Sequence, residues 1–99
     1  MTYVLKLHRE VEKQLRRIPQ NQRERLVEAM RSLRVDPRPH GCQHLQDELY
    51  RLRKGEYRMI YAVFEQEVIV VVCKVTRITE KTYRDLKILL DKALQDLLG

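Results

Sequence analysis

The stretch LYRLRKGEYRMIYAV, residues 49–63, sets Arg51, Arg53, Lys54 and Arg58 among Tyr50, Tyr57 and Tyr61. Guanidinium suits phosphate well, because its planar fork donates two parallel hydrogen bonds. The same residues on an exposed strand also serve as a solvated face that discourages edge-to-edge pairing. Strand alternation puts Arg51 and Arg53 on one face, and Tyr50 and Leu52 on the other. Lys54 follows Tyr50 and Leu52 unless the turn rotates it. Arg58, Ile60 and Ala62 share a face opposite Tyr57, Met59 and Tyr61. A hairpin that brings Arg58 beside Arg53 or Arg51 gathers guanidinium groups on one face, at a cost in repulsion until an anion arrives. Downstream, KVTRITEKTYRD offers Arg77 and then Tyr83, which can join this group where the last strand leaves the sheet.

The elements that must position these residues can be read from hydrophobic period. TYVLKLH, residues 2–8, alternates and reads as a strand. Val11, Leu15 and Ile18 then recur at helical spacing, and Pro19 closes that helix. A second helix begins at about Gln20, with Leu26, Val27, Met30 and Leu33 as its stripe. The two form an αα-hairpin. DPRPHG, residues 36–41, breaks the pattern. Period two returns from about Glu48 to Arg53, turns at Gly55, and resumes from about Glu56 to Phe64. VIVVVCKV, residues 68–75, is apolar throughout its first six positions, which predicts a central strand covered on both faces. A C-terminal helix is predicted over 79–98, with Thr79 as N-cap and Glu80 favoured by the helix dipole. Its stripe is Tyr83, Leu86, Leu90, Ala93, Leu94 and Leu97. It packs on the sheet, or covers a functional face until a partner displaces it. The expected fold is α+β, one compact domain over 1–99 in the order β-α-α-β-β-β-α. The αα-hairpin packs on a twisted, mostly antiparallel four-stranded sheet.

A chain of 99 residues supports one core of two packed layers. Its net charge of +6 favours nucleic acid, the ribosome, an anionic membrane or an acidic protein as partner. No apolar run approaches the length of a membrane span, and the N-terminus turns charged too early for a secretory signal. The cytoplasm is the expected location, with no membrane partner. Cys42 and Cys73 lack metal or redox spacing and read as two reduced thiols. No HExxH, P-loop or GxSxG motif is present. Ser32, the one serine, lies on a helix. No metal and no cofactor are expected.

Together, LYRLRKGEYRMIYAV, the acidic turn after it, VIVVVCKVTR and a tyrosine beyond a polar gap resemble the RelE/ParE superfamily of bacterial toxins. The upstream run IPQNQRERLVEAM also fits, and the likeness covers residues 2 to about 84. It implies a small α/β fold with helices on one face of a twisted sheet. It implies an mRNA endonuclease of the RelE type, which enters the ribosomal A site and cuts the bound message. A cognate antitoxin is implied, which neutralises the toxin and usually represses the operon with it. Contact with DNA is then only indirect, through the antitoxin complex. By this resemblance Arg51 and Arg53 occupy basic strand positions, and Arg58 is the arginine of the family's YR pair. Arg77 matches an arginine after the last core strand, and Tyr83 the C-terminal tyrosine. The segment between Arg77 and Tyr83 lacks the family's usual glycine- and basic-rich run.

Cleavage by the ribose 2′-OH needs in-line geometry, a proton acceptor, stabilisation of the phosphorane and a proton for the leaving 5′-oxygen. Arg51, Arg53, Arg58 and Arg77 suit charge stabilisation. Tyr83 can stack on a base, orient the 2′-OH or relay a proton. Lys54, Lys74 and Lys81 are assigned to RNA contact. Relatives often carry a lysine where Arg53 stands, and a guanidinium does not accept a proton near neutrality. The acceptor candidates are His44, in the loop before the second strand, and Glu48 or Glu56, which flank the hairpin strands. His8 and His40 are further removed. Two other readings stay open: a ParE-like inhibitor of DNA gyrase, which the missing lysine favours, and a non-catalytic nucleic-acid-binding module. The antitoxin is expected to offer an amphipathic helix or an acidic extended segment.

Overall fold

The computed structural model describes residues 2–79 and 86–99. In chain order these form β1 (Val4–Leu7), α1 (Arg9–Arg16), α2 (Gln20–Ser32), β2 (Gln43–Gln46), β3 (Leu49–Lys54), β4 (Tyr57–Phe64), β5 (Ile69–Arg77) and α3 (Leu86–Leu98). The strands make one sheet in the order β1-β5-β4-β3-β2. Its outer pair β1–β5 is parallel and the other pairs are antiparallel. The sheet therefore has five strands where four were expected. The addition is β2, whose QHLQ sequence has no apolar alternation and whose pairing with β3 is broken by a bulge. Hydrogen bonds to β3 make it a strand, not its own propensity.

Local signals explain the helices. His8 caps α1, its Nδ1 accepting from the Glu10 N–H at 3.2 Å. Glu10 and Glu12 sit in the first turn and Lys13 and Arg16 in the last, which complements the helix dipole. Pro19 separates α1 from α2. Val11 and Leu15 from α1, and Leu26 and Met30 from α2, pack with Leu33 on Tyr57, Met59, Tyr61, Val63, Val70 and Val72. On the opposite face, Leu89 and Ala93 of α3 pack on Leu49, Ile60, Ala62, Phe64, Val71 and Cys73. Both faces being covered, every residue of β4 is buried. Two links fasten α3: Lys92 Nζ donates to Glu10 Oε2 at 2.6 Å, and Lys6 Nζ to the Asp96 carbonyl at 2.9 Å.

Two backbone features set the direction of the cations. The β3–β4 hairpin closes through Gly55 and Glu56, with Gly55 in the left-handed region at φ 60°. Only glycine takes that conformation without strain. The second feature is a bulge in β5. Ile60 pairs with Lys74 but Tyr61 pairs with Val72, so Cys73 is an extra residue. A bulge breaks strict alternation. Before it, Val71 and Cys73 face α3. After it, Lys74 and Thr76 take the α3 side, while Val75 and Arg77 turn towards α1 and α2.

Candidate nucleic-acid interface

The side of the sheet that carries α3 is divided. Its apolar part lies under the helix, and its cationic part lies towards the β3–β4 turn. Two cross-strand rows make up the cationic part. One runs Gln43, Arg51, Ile60, Lys74, and the next runs Arg53, Arg58, Thr76. Ile60 is the boundary, because it also belongs to the core under α3. Direct cross-strand partners stand with Cβ atoms about 4.5–5.5 Å apart. Arg53 and Arg58 are such partners.

The side chains differ in how firmly they are held. Arg58 is only 7% exposed, and its Nη2 donates to the Ile78 carbonyl at 2.5 Å. The Ile78 N–H in turn donates to the Glu56 carbonyl at 2.9 Å. The hairpin turn, Arg58 and the segment after β5 are thus joined. Arg51 donates through Nη2 to Gln43 Oε1. Arg53 is exposed and Lys74 half-buried. Thr76, 6% exposed, faces the same side beside Arg58. The arrangement presents forked donors on a fixed floor, which matches a phosphate's oxygens.

Three expected members lie elsewhere. Arg77 is the partner of Tyr57, and its guanidinium lies over the Tyr57 ring, 5.8 Å from the centroid. The Cys73 bulge reversed its side, so it does not join Arg53 and Arg58. His44 pairs with Tyr50 on the α1–α2 side, with ring centroids 5.0 Å apart. Its Nε2–H donates to the Asp47 carbonyl at 2.7 Å. It is therefore not placed as a proton acceptor for the cationic rows. Lys54 likewise pairs with Tyr57 and lines an open groove of about 790 Å³ beside α2, together with Glu24, Arg25 and Glu28. Tyr83 and Lys81 lie outside the described residues.

Of the carboxylate candidates, Glu56 sits in the β3–β4 turn, two residues before Arg58, and Glu48 sits at the other end of the sheet. That far end is acidic. Asp47, Glu48, Glu65 and Glu67 surround a cavity of about 380 Å³ with Arg38. Hydrogen bonding from Arg38, then from Tyr3, holds the Glu65 carboxyl below its ordinary value. The sheet is thus polarised along its strands, with acidic turns at one end and cationic rows at the other. Such a field orients an approaching polyanion towards the rows. Gln43 and Thr76 were not legible as members of the site. Gln43 belongs to the unrecognised strand, and Thr76 reaches this side only because of the bulge. Among the described residues, no three His, Cys, Asp or Glu side chains come together as a metal site requires.

A helix pair packed on one face of a small mixed sheet, with a cationic floor on the other, defines a RelE-like toxin fold. The chain belongs to the phage-derived Gp49-like protein family, which matches residues 13–95, within the RelE/ParE superfamily. It is 27% identical over 82 residues to the inferred toxin RelE1 of Methanocaldococcus jannaschii, covering 78% of this chain and 91% of that protein. It is similar to a chain of the archaeal RelE–RelB complex from Pyrococcus horikoshii, with TM-score 0.75 and 30% identity. That match covers 82% of this chain and 100% of the other. The isolated E. coli RelE toxin shares the fold at TM-score 0.68 and 21% identity, with 94% of this chain and 96% of that one covered.

Proposed function

We propose that this protein is the toxin of a type II toxin–antitoxin pair, and that it cleaves mRNA in the ribosomal A site. The observation that carries the reading is the Arg53–Arg58 pair, with Arg58 buried and fixed by the Ile78 carbonyl. The 2′-oxygen of the ribose attacks the adjacent phosphorus, and the bond to the 5′-oxygen of the next nucleotide breaks. Charge grows on the non-bridging oxygens as the phosphorane forms. Arg58, already held in place, meets that charge without reorganising, which is where preorganised donors act most strongly. Arg53 and Arg51, more exposed, neutralise the phosphates of the bound message. The ribosome holds the message for in-line attack. Glu56, in the hairpin turn two residues before Arg58, is the candidate to take the 2′-OH proton.

The partners of this reading are the ribosome, its mRNA and a cognate antitoxin, all met in the cytoplasm. The Pyrococcus horikoshii relative is described in complex with RelB. A basic chain of net charge +6 suits both an RNA target and an acidic antitoxin segment. Purified protein mixed with programmed ribosomes should yield a cut in the A-site codon. Arg58→Met should lower the rate by roughly 10²–10³-fold. A gyrase supercoiling assay run in parallel should show no inhibition. Inhibited supercoiling with an intact message would replace this reading with a ParE-like one.

A further inference from the structure

We infer that Lys74 is a catalytic residue of the same site, the acid that protonates the leaving 5′-oxygen; the inference rests on the ribonuclease reading above. Lys74 pairs with Ile60, whose partner on the other side is Arg51. The neighbouring row holds Arg53, Arg58 and Thr76. Lys74 therefore flanks the floor on the β5 side, one row from Arg58. Simple alternation along β5 would send it to the opposite face with Val72. The extra residue Cys73 delivers it here.

Of the residues in the two rows, Lys74 alone carries an ammonium. It is half-buried and has no carboxylate partner among the described residues. A half-buried charge is costly unless it is paired, and a phosphate anion at the floor would pair it. The chemistry also separates it from its neighbours. A departing alkoxide needs a proton, and a guanidinium gives one up poorly. An ammonium is the stronger acid of the two. In the step, the 2′-oxygen bonds to phosphorus and the phosphorus–5′-oxygen bond breaks. The Nζ proton of Lys74 passes to the 5′-oxygen. The products are a 2′,3′-cyclic phosphate and a free 5′-hydroxyl. The 2′-OH proton passes to Glu56 and from there to solvent, and the Lys74 amine takes one back from solvent.

The test uses ribosomes programmed with an ordinary message, or with one carrying a bridging 5′-phosphorothiolate at the cut. Sulfur leaves without protonation. Lys74→Met should slow the ordinary message by roughly 10²–10⁴-fold, the usual worth of a general acid, and cut the sulfur message near the wild-type rate. Lys74→Arg keeps the charge and should show the same split. Arg58→Met should be slow on both. Equal slowing of both messages by Lys74→Met, or a wild-type rate for Lys74→Arg on the ordinary message, overturns the inference alone. A wild-type protein that leaves both messages intact overturns the ribonuclease reading and the inference with it.

Discussion

Arg53 and Arg58 stand directly opposite each other across β3 and β4, so two guanidinium-bearing side chains rise from one point of the sheet. Like charges in this position destabilise a strand pair by about 0.2–1 kcal/mol. The exposed member can be removed without opening the core. Arg53→Gln should therefore stabilise the fold by about that amount while lowering cleavage. Urea unfolding read beside the ribosome assay checks both signs. A variant that is less stable and fully active would show that the pair is ordinary surface.

His44 donates its Nε2–H to the Asp47 carbonyl and lies tilted against the Tyr50 ring, on the side that faces α1 and α2. His44→Ala should leave single-turnover cleavage at the wild-type rate. A large loss of rate, with the unfolding midpoint unchanged, would place the histidine in the chemistry after all.

The two cysteines, both free, should differ sharply in reactivity. Burial under α3 pushes the Cys73 thiol up to about 12, with nearby Asp96 adding to the effect. Only the thiolate attacks a disulfide reagent. Near pH 8 the folded protein should titrate one thiol promptly, at the half-buried Cys42, and the second only after unfolding. Prompt reaction of both would mean that α3 leaves the sheet readily.

The Glu10–Lys92 link gives α3 a pH-dependent attachment. The hydrogen bond from Lys92, and then its charge, hold the Glu10 carboxyl below its ordinary 4.5. A carboxyl lowered on folding adds stability above its unfolded value and loses it as the pH falls through the folded one. Glu10 is exposed and Lys92 partly so, which keeps the contribution within about 1 kcal/mol. Wild type should exceed Glu10→Gln in stability at pH 7, and the gap should close as the pH drops below 4.5. A gap that persists in acid would have another origin.

Much of this architecture is legible in the chain because polar and apolar residues mark the faces. Val11, Leu15 and Ile18 trace α1, and Leu26, Met30 and Leu33 trace α2. Tyr57, Met59 and Tyr61 alternate with Arg58 and Ile60, which fixes the hairpin faces; the strand register then decides that Arg58 stands beside Arg53 and not Arg51. The same logic fails in β5. Residues 68–73 are apolar on both faces, so nothing in their types reveals where the phase slips at Cys73. That slip moves Arg77 away from the cationic floor and brings Lys74 to it. Nor can QHLQ declare itself a strand, since β2 exists through its bonds to β3. Pairing between distant segments decides both cases, and one-dimensional period does not record it.

On the ribonuclease proposal, Arg58 is the fixed centre of a site that cuts RNA. The most direct measurement is mapping of the 3′ ends of A-site codons after single-turnover incubation of programmed ribosomes with wild type and Arg58→Met. A cut with a 2′,3′-cyclic phosphate end is predicted for wild type, falling roughly 10²–10³-fold in the variant. An intact message with wild type, while Arg58→Met still abolishes toxicity in cells, would contradict it.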